Sequence, residues 1–383
     1  MIGVEGQWVI SLSLNGTIMN IQSTDLIAFN TIEEAGNLLP MWKLDFLASD
    51  YSFSKNWNEG AVLTCSIGRN RDDLRELSLV VTKPSSYPNG SNQIRYTAYG
   101  LYNALGYVNT PHVRTLGACD SLTVLKAVVG NYFTWDDDNN VTKSQDKQVF
   151  IQPNISDKKF VDHLARHVYL KDSYFGVAIT SDGRFRAFDA KQKLSEEPAY
   201  SIGTKIYGGP GKALIQMSAP EYASYSSIIN PLIGYGTEKP MVDATTGARI
   251  VHKPKPNIVA AQATQTPRSV TVERRTQSPV RLTTNHDVNY HVAESNNYMG
   301  LMNLSNESVT VLVECGYEPI SVWDIVQFTA MATGSTEVDE VRSGKYVVGL
   351  VSRQATGLGQ NRFLTKIRMF RESTNSIQGD LHG

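Results

Sequence analysis

The chain of 383 residues carries 36 Lys plus Arg against 37 Asp plus Glu, and a net charge of -1 gives no global attraction to nucleic acid or an anionic membrane. Its length exceeds the roughly 250 residues at which a single core stops growing, which predicts two or three domains. Three cysteines, Cys65, Cys119 and Cys315, lie far apart without a CxxC pair; they imply neither a zinc module nor a disulfide framework and read as reduced thiols, Cys65 within a core.

Residues 6 to 24 carry no formal charge, yet their period is that of a strand and not of a membrane segment. Trp8, Ile10, Leu12 and Leu14 alternate with Val9, Ser11 and Ser13, and Asn15-Gly16 supplies the positive-φ pair of a tight hairpin before Ile18 and Met19. No stretch approaches the ~20 apolar residues of a membrane span, so the expectation is a soluble protein made in the cytoplasm, without stable membrane insertion. Thr31 and Glu34 have the spacing of a capping box and predict a short helix from Ile32 through Ala35 and Leu38, stopped at Pro40. Trp42, Leu44 and Phe46, then Ala61, Leu63, Cys65 and Ile67, then Leu77, Leu79 and Val81, predict half-buried strands. Pro88-Asn89-Gly90 turns the chain into Ile94, Tyr96 and Ala98, closing a small barrel or sandwich over residues 1–109.

From Thr110 the period becomes helical. Asp120 caps a helix with Leu122, Leu125 and Val129 at about 120–130, and Ser156 caps a second with Phe160, Val161, Leu164 and Val168 at about 156–169. A hairpin at about 174–189, turning at Ser181-Asp182-Gly183, completes an inserted α+β domain over residues 110–199. Residues 200–235, rich in Tyr, Ser and Gly, return to the sheet. Residues 236–289, with Lys253-Pro254-Lys255-Pro256 and few bulky apolar residues, read as an extended arm or long loop that contacts another subunit or tail protein. Residues 290–383 are the clearest β sequence, with Val309, Val311 and Val313, then Ile320 to Phe328, then Tyr346, Val348 and Leu350, then Phe363, Thr365, Ile367 and Met369. The fold class is mainly β with a smaller α+β insertion: two small β-barrel or sandwich domains, their shared order of elements predicting that they superimpose.

Known chemistries fit poorly. His163 and His167 have the i, i+4 spacing of metal ligands, but Leu164 stands where HExxH needs its glutamate. Asp136, Asp138 and Asn140 begin like a calcium loop that Val141 and Lys147 then break, which leaves a weak cation site open there and at the histidine pair. Gly208-Gly209-Pro210-Gly211-Lys212 lacks the first glycine and the Ser or Thr of a phosphate loop, and no GxSxG elbow exists. Adjacent acids such as Glu196-Glu197 and Asp72-Asp73 read as solvated charge, and no cofactor is expected.

Five segments, in three regions of the chain, carry a resemblance. TIEEAGNLLPMWKLDFLASDYSFSKNWNEGAVLTCSIG looks like the first barrel of the baseplate hub proteins of tailed bacteriophages. KKFVDHLARHVYLKDSYFGVAITSDGRFRAFD resembles the family's inserted domain, and EPISVWDIVQFTA, SGKYVVGLVSR and RFLTKIRMFRES together resemble its second barrel, related to phage tail-tube barrels. Trp323 departs from the pattern, standing before Asp324 where a turn glycine is expected. The resemblance implies a structural virion protein of the tail baseplate, assembled in the host cytoplasm: a homotrimeric ring that adapts a sixfold tail tube to a threefold central spike. Its partners would be the tail tube protein, the central spike protein and other baseplate proteins, with DNA only passing through the channel. No enzymatic activity is expected. Arg362, Lys366 and Arg368 lie opposite the apolar face of their strand and are expected at a subunit or tube interface, where Glu337, Asp339 and Glu340 would pair with them. Two other readings stay open: a carbohydrate- or receptor-binding β module using the 18 tyrosines and five tryptophans, and a peptidoglycan-degrading tail enzyme.

Overall fold

The computed structural model describes residues 2–4, 6–49, 53–90, 92–136, 141–204, 210–224, 237–252, 275–276, 280–282, 287–313, 316–332, 337–357 and 361–372. Alternation dictates the first β region. Trp8–Leu14 pairs antiparallel with Val62–Gly68, followed in space by Leu74–Pro88, Ile94–Tyr102, Met41–Ala48 and Leu26–Glu34. Asn15 (φ 48°) and Gly16 (φ 79°) make the positive-φ turn after the first of these, although the returning strand is only Thr17–Ile18. Inward faces bury Trp8, Leu12, Leu44, Leu63, Cys65 and an aromatic nest in which Phe46 stacks on Tyr96 at 5.2 Å while Phe53 and Trp57 meet them edge-on.

The helix expected from Ile32 does not form. Leu26–Glu34 is a strand, bonded on one edge to Met41–Ala48 and on the other to the far strand Gly344–Thr356. A two-turn helix carries a nucleation cost with few bonds to offset it, whereas this strand fills a backbone ladder on both edges. It ends at Glu34, and Gly36, with a φ of 77°, lies in the turn after which the Asn37 side chain accepts from the Leu39 amide.

That pairing makes a seam, running from Phe29 opposite Ala355 to Glu34 opposite Leu350, so the two β regions share one sheet. The hairpin formed by Gly344–Thr356 and Arg362–Arg371 also completes the first core, to which it contributes Ala355 and Phe363. Trp8 Nε1 donates to the Asn361 carbonyl at 3.1 Å, tying the tip of this hairpin to the first barrel. At the seam, Glu33 and Arg353 are both buried and bonded, Arg353 Nη1 to Glu33 Oε1 at 3.0 Å. The carboxylate also accepts from the Ser181 amide at 3.0 Å and the Ser321 hydroxyl at 2.9 Å. Arg353 Nη2 donates to the Ile320 carbonyl.

The second β region places Tyr200–Gly203 between parallel neighbours Lys212–Ile215 and Ile325–Thr329, then continues through Gly344–Thr356, Arg362–Arg371 and Glu307–Val313. A bridge from Gln216 to Val313 closes the ring around Val309, Val311, Phe328, Ile367 and Met369. Trp323 adopts a left-handed conformation that favours glycine, with φ 74°. Strain of roughly 1–2 kcal/mol for a non-glycine residue there is offset by burial and by stacking on Phe188 at 4.4 Å and 15°.

Between the β regions, helices Ser121–Val129 and Asp157–His167 pack on the hairpin Phe175–Ile179 and Arg184–Asp189, and the ribbon Pro111–Cys119 with Gln148–Ser156 lies outside them. The span expected as an arm is not wholly irregular. Thr237–Asp243 pairs with Arg249–His252, Arg275–Thr276 and Val280–Leu282, and much of the remainder, including the Lys-Pro run, lies outside the described residues. A helix that the sequence reading lacked, Val288–Leu304, follows.

Truncating one partner of the seam pair strands the other charge in a dry site, so Arg353→Met is expected to cost about 3–5 kcal/mol in urea unfolding. The double variant Glu33→Gln/Arg353→Met removes both charges and keeps an acceptor for Ser321, and its loss should be smaller than that of Arg353→Met.

Candidate subunit interface

The strand Arg362–Arg371 alternates strictly. Phe363, Thr365, Ile367 and Met369 are buried; Arg362 and Lys366 are exposed and Arg368 half-buried on the other face. The three cations therefore share one side, Lys366 lying between Leu312 and Ser352, and Arg368 between Thr310 and Leu350.

Within the same chain the acidic turn of Glu337, Asp339 and Glu340 lies elsewhere. Arg371, at the far end of the same strand, donates to the carbonyls of Val341 (2.6 Å) and Ser343 (3.1 Å), which puts the acidic turn beside that end. Nine residues of strand separate Arg362 from it by roughly 30 Å. Asp339 instead caps its own turn, accepting from the Arg342 amide at 3.1 Å and pairing with Arg342 Nη1 at 3.6 Å. Glu337 and Glu340 are exposed on either side of Val338, which is 41% exposed. Within one chain, the structure does not bring Arg362 and the acidic turn together.

A second cationic surface escaped the sequence reading. On the outer face of the first β region Lys83 is opposite Tyr99, and Tyr99 is opposite Lys43. Lys43 Nζ lies 5.4 Å from the Tyr99 ring centre and the Arg95 guanidinium 5.7 Å from that of Tyr87. Asp45 is buried beneath, taking Arg95 Nε at 2.7 Å and Nη2 at 2.5 Å. The alternation of Met41, Lys43 and Asp45 against Trp42, Leu44 and Phe46 was visible in the sequence; its junction with Tyr99 and Arg95, fifty residues on, was not.

The other candidates resolve into structure. Asp136 is held by Arg186 (2.9 Å) and Arg184 (3.6 Å), while Asp138, Asn140, Gly208, Gly209 and Cys315 fall outside the described residues. Trp8, Trp42, Trp57 and Trp323 are buried and Trp135 stacks on Phe185, so the tryptophans offer no exposed platform for sugars. Among the described residues no three His, Cys, Asp or Glu side chains gather as a metal site, and no helix is long and apolar enough to cross a membrane. His163 and His167 lie beside an ion pair of the protein instead. His167 is buried, stacked on Tyr290 at 4.4 Å, and its Nδ1 donates to the His163 carbonyl at 2.7 Å. That leaves Nε2 bare, 3.8 Å from Glu294 Oε2, which is taken by the buried Lys239 ammonium at 2.7 Å. Burial, then the neighbouring His163, lowers the His167 pKa to about 3.

No sequence-family description and no curated protein matches this chain. Solved structures do share its fold. It is similar to a tail protein from Neisseria meningitidis over 96% of this chain and 97% of that one, with a TM-score of 0.61 at 9% identity. The 43 kDa tail protein of prophage MuSo2 from Shewanella oneidensis matches over 95% and 96%, with a TM-score of 0.57 at 10% identity. An E. coli component of the type VI secretion system, described as structurally similar to the T4 bacteriophage tail proteins gp27 and gp5, matches over 94% of this chain and 77% of that one, with a TM-score of 0.53 at 9% identity. The fold is the mainly β fold of phage tail proteins.

The histidine geometry predicts a pH dependence. Unfolded, His167 takes up a proton below pH about 6.5, whereas folded it resists down to about 3, so stability should fall as pH falls through that window. At pH 5 the loss from His167 is about 2 kcal/mol relative to pH 7, read from urea midpoints, and His167→Asn should reduce the slope, His163 and His252 being lowered in the same direction.

Proposed function

We propose that the chain is a non-enzymatic structural protein of a phage-type tail: a baseplate hub whose three copies form a ring joining a sixfold tail tube to a threefold central spike around the DNA channel. The observation that carries this reading is the seam. Two barrels in one chain, coupled by a shared sheet instead of a linker, offer two docking units in a fixed relation, and three such chains supply six positions. Fold likeness to tail proteins over nearly the whole chain supports it. The tail tube, the spike and further baseplate proteins are the partners, and assembly on the virion tail begins in the host cytoplasm.

A channel wall that bound phosphates would slow DNA passage, because each Lys or Arg contact adds counterion-release affinity. Arg362, Lys366 and Arg368 accordingly face a neighbouring barrel or the tube.

Sedimentation velocity tests the ring: the expected species has three times the 42.3 kDa chain mass, and a monomer at micromolar concentration overturns the reading. Reversing Arg362 and Arg368 to Glu should impair assembly at low salt, with the defect shrinking as salt screens the exposed charges.

A further inference from the structure

The Lys43–Tyr99 surface has the make-up of a docking site. Met41, Tyr87 and Tyr99 are 47%, 44% and 50% exposed on three adjacent strands, and Lys43, Lys83 and Arg95 stand among them. Tyrosine, methionine and arginine are the residues enriched at protein interfaces, since they present much contact area for little lost rotamer freedom. Here they are also held in place. Arg95 is clamped by the buried Asp45 against the Tyr87 ring, and Lys43 lies over Tyr99, so little ordering is left for binding. Asp45 is shared by Arg95 and, at 3.8 Å, by Lys43, so the three cations outnumber it and the surface faces outward as an apolar and cationic patch.

Its complement is on the same chain. Glu337, Val338 and Glu340 present two exposed acids around an exposed valine, and the turn is rigidly based. Val338 bridges Met331, the Asp339 amide donates to the Ala330 carbonyl at 2.9 Å, and Arg342, paired with Asp339, lies over Tyr222 at 4.5 Å. The patch belongs to the first β region and the turn to the second.

We infer that the acidic turn Glu337–Glu340 of one copy docks on the Met41–Lys43–Lys83–Tyr99 patch of the next, Val338 covering Met41 and Tyr99 while Glu337 and Glu340 meet Lys43 and Lys83. Such a contact joins unlike surfaces head to tail, the kind that closes into a ring when its rotation permits. The inference rests on the ring reading and names the contact that forms it. DNA fits the patch less well, because a phosphate backbone would leave Met41 and the tyrosine rings uncovered.

Charge exchange decides it. In sedimentation velocity, Lys43→Glu/Lys83→Glu and Glu337→Lys/Glu340→Lys should each weaken association by about tenfold or more, while the chain carrying all four substitutions returns to within about threefold of wild type. Tyr99→Ala, an exposed truncation, should weaken association without shifting the melting temperature. A wild-type chain that stays monomeric overturns the ring and this contact with it. A wild-type oligomer indifferent to the reversals, or a fourfold variant no better than its parents, overturns this contact alone. So does a wild-type chain that binds a 20-base-pair duplex, loses that binding on reversal at Lys43 and Lys83, and keeps its oligomeric state.

Discussion

The structure turns on one buried carboxylate. Glu33 lies on a strand of the first β region, Arg353 and Ser321 belong to the second, and Ser181 lies in the turn of the inserted hairpin. A buried ion pair is costly to desolvate and contributes little by itself unless its remaining lone pairs are satisfied. Here both carboxylate oxygens have partners, so the pair acts chiefly as a register mark. Slipping the seam by one residue would put Glu33 and Arg353 on opposite faces of the sheet and break the pair. Three parts of the chain are thereby held to one relative arrangement, in a low-dielectric site where an unmade bond is expensive.

Much of the β architecture was legible because its signals are local. Period-two alternation marks the strands around Trp8, Trp42, Leu63 and Tyr96, and Asn15-Gly16 marks a turn by chemistry alone. The seam has no such signal, since nothing in residues near Phe29 names Ala355 as a partner. The misread helix follows from the same gap: Thr31 and Glu34 have the spacing of a cap, and only the distant ladder reveals that the backbone is already committed. The Val288–Leu304 helix was missed because it is enclosed on several sides. Asn297 is buried, accepts from the Phe175 amide and donates to the carbonyls of Arg166 and Val168, so no clean apolar stripe appears. Trp323 shows the opposite case, in which a residue that violates the turn preference keeps the turn because its ring has a place to stack.

The cationic face of the last strand was legible. Alternation put Arg362, Lys366 and Arg368 on one face, where the structure has them. The position of the acids depended on how the loop folds back on Arg371, a long-range contact with no trace in spacing. Surfaces assembled from several strands, such as Lys43, Lys83 and Tyr99, are legible only in fragments.

The completion of the first core by Ala355 and Phe363 bears on how the chain is made. A ribosome delivers residues 2 to 102 long before residue 363 emerges, so the N-terminal barrel spends most of synthesis with Trp8, Phe29 and their neighbours lacking the last wall. The strand Leu26–Glu34 keeps an open ladder edge over the same interval, and open edges recruit other strands. Contacts spanning over 300 residues place the closing step at the end of folding, as a slow event of high contact order. The interval before that hairpin arrives is the period of greatest exposure to aggregation, and the N-terminal barrel is a unit whose folding is licensed by a hairpin over 300 residues away.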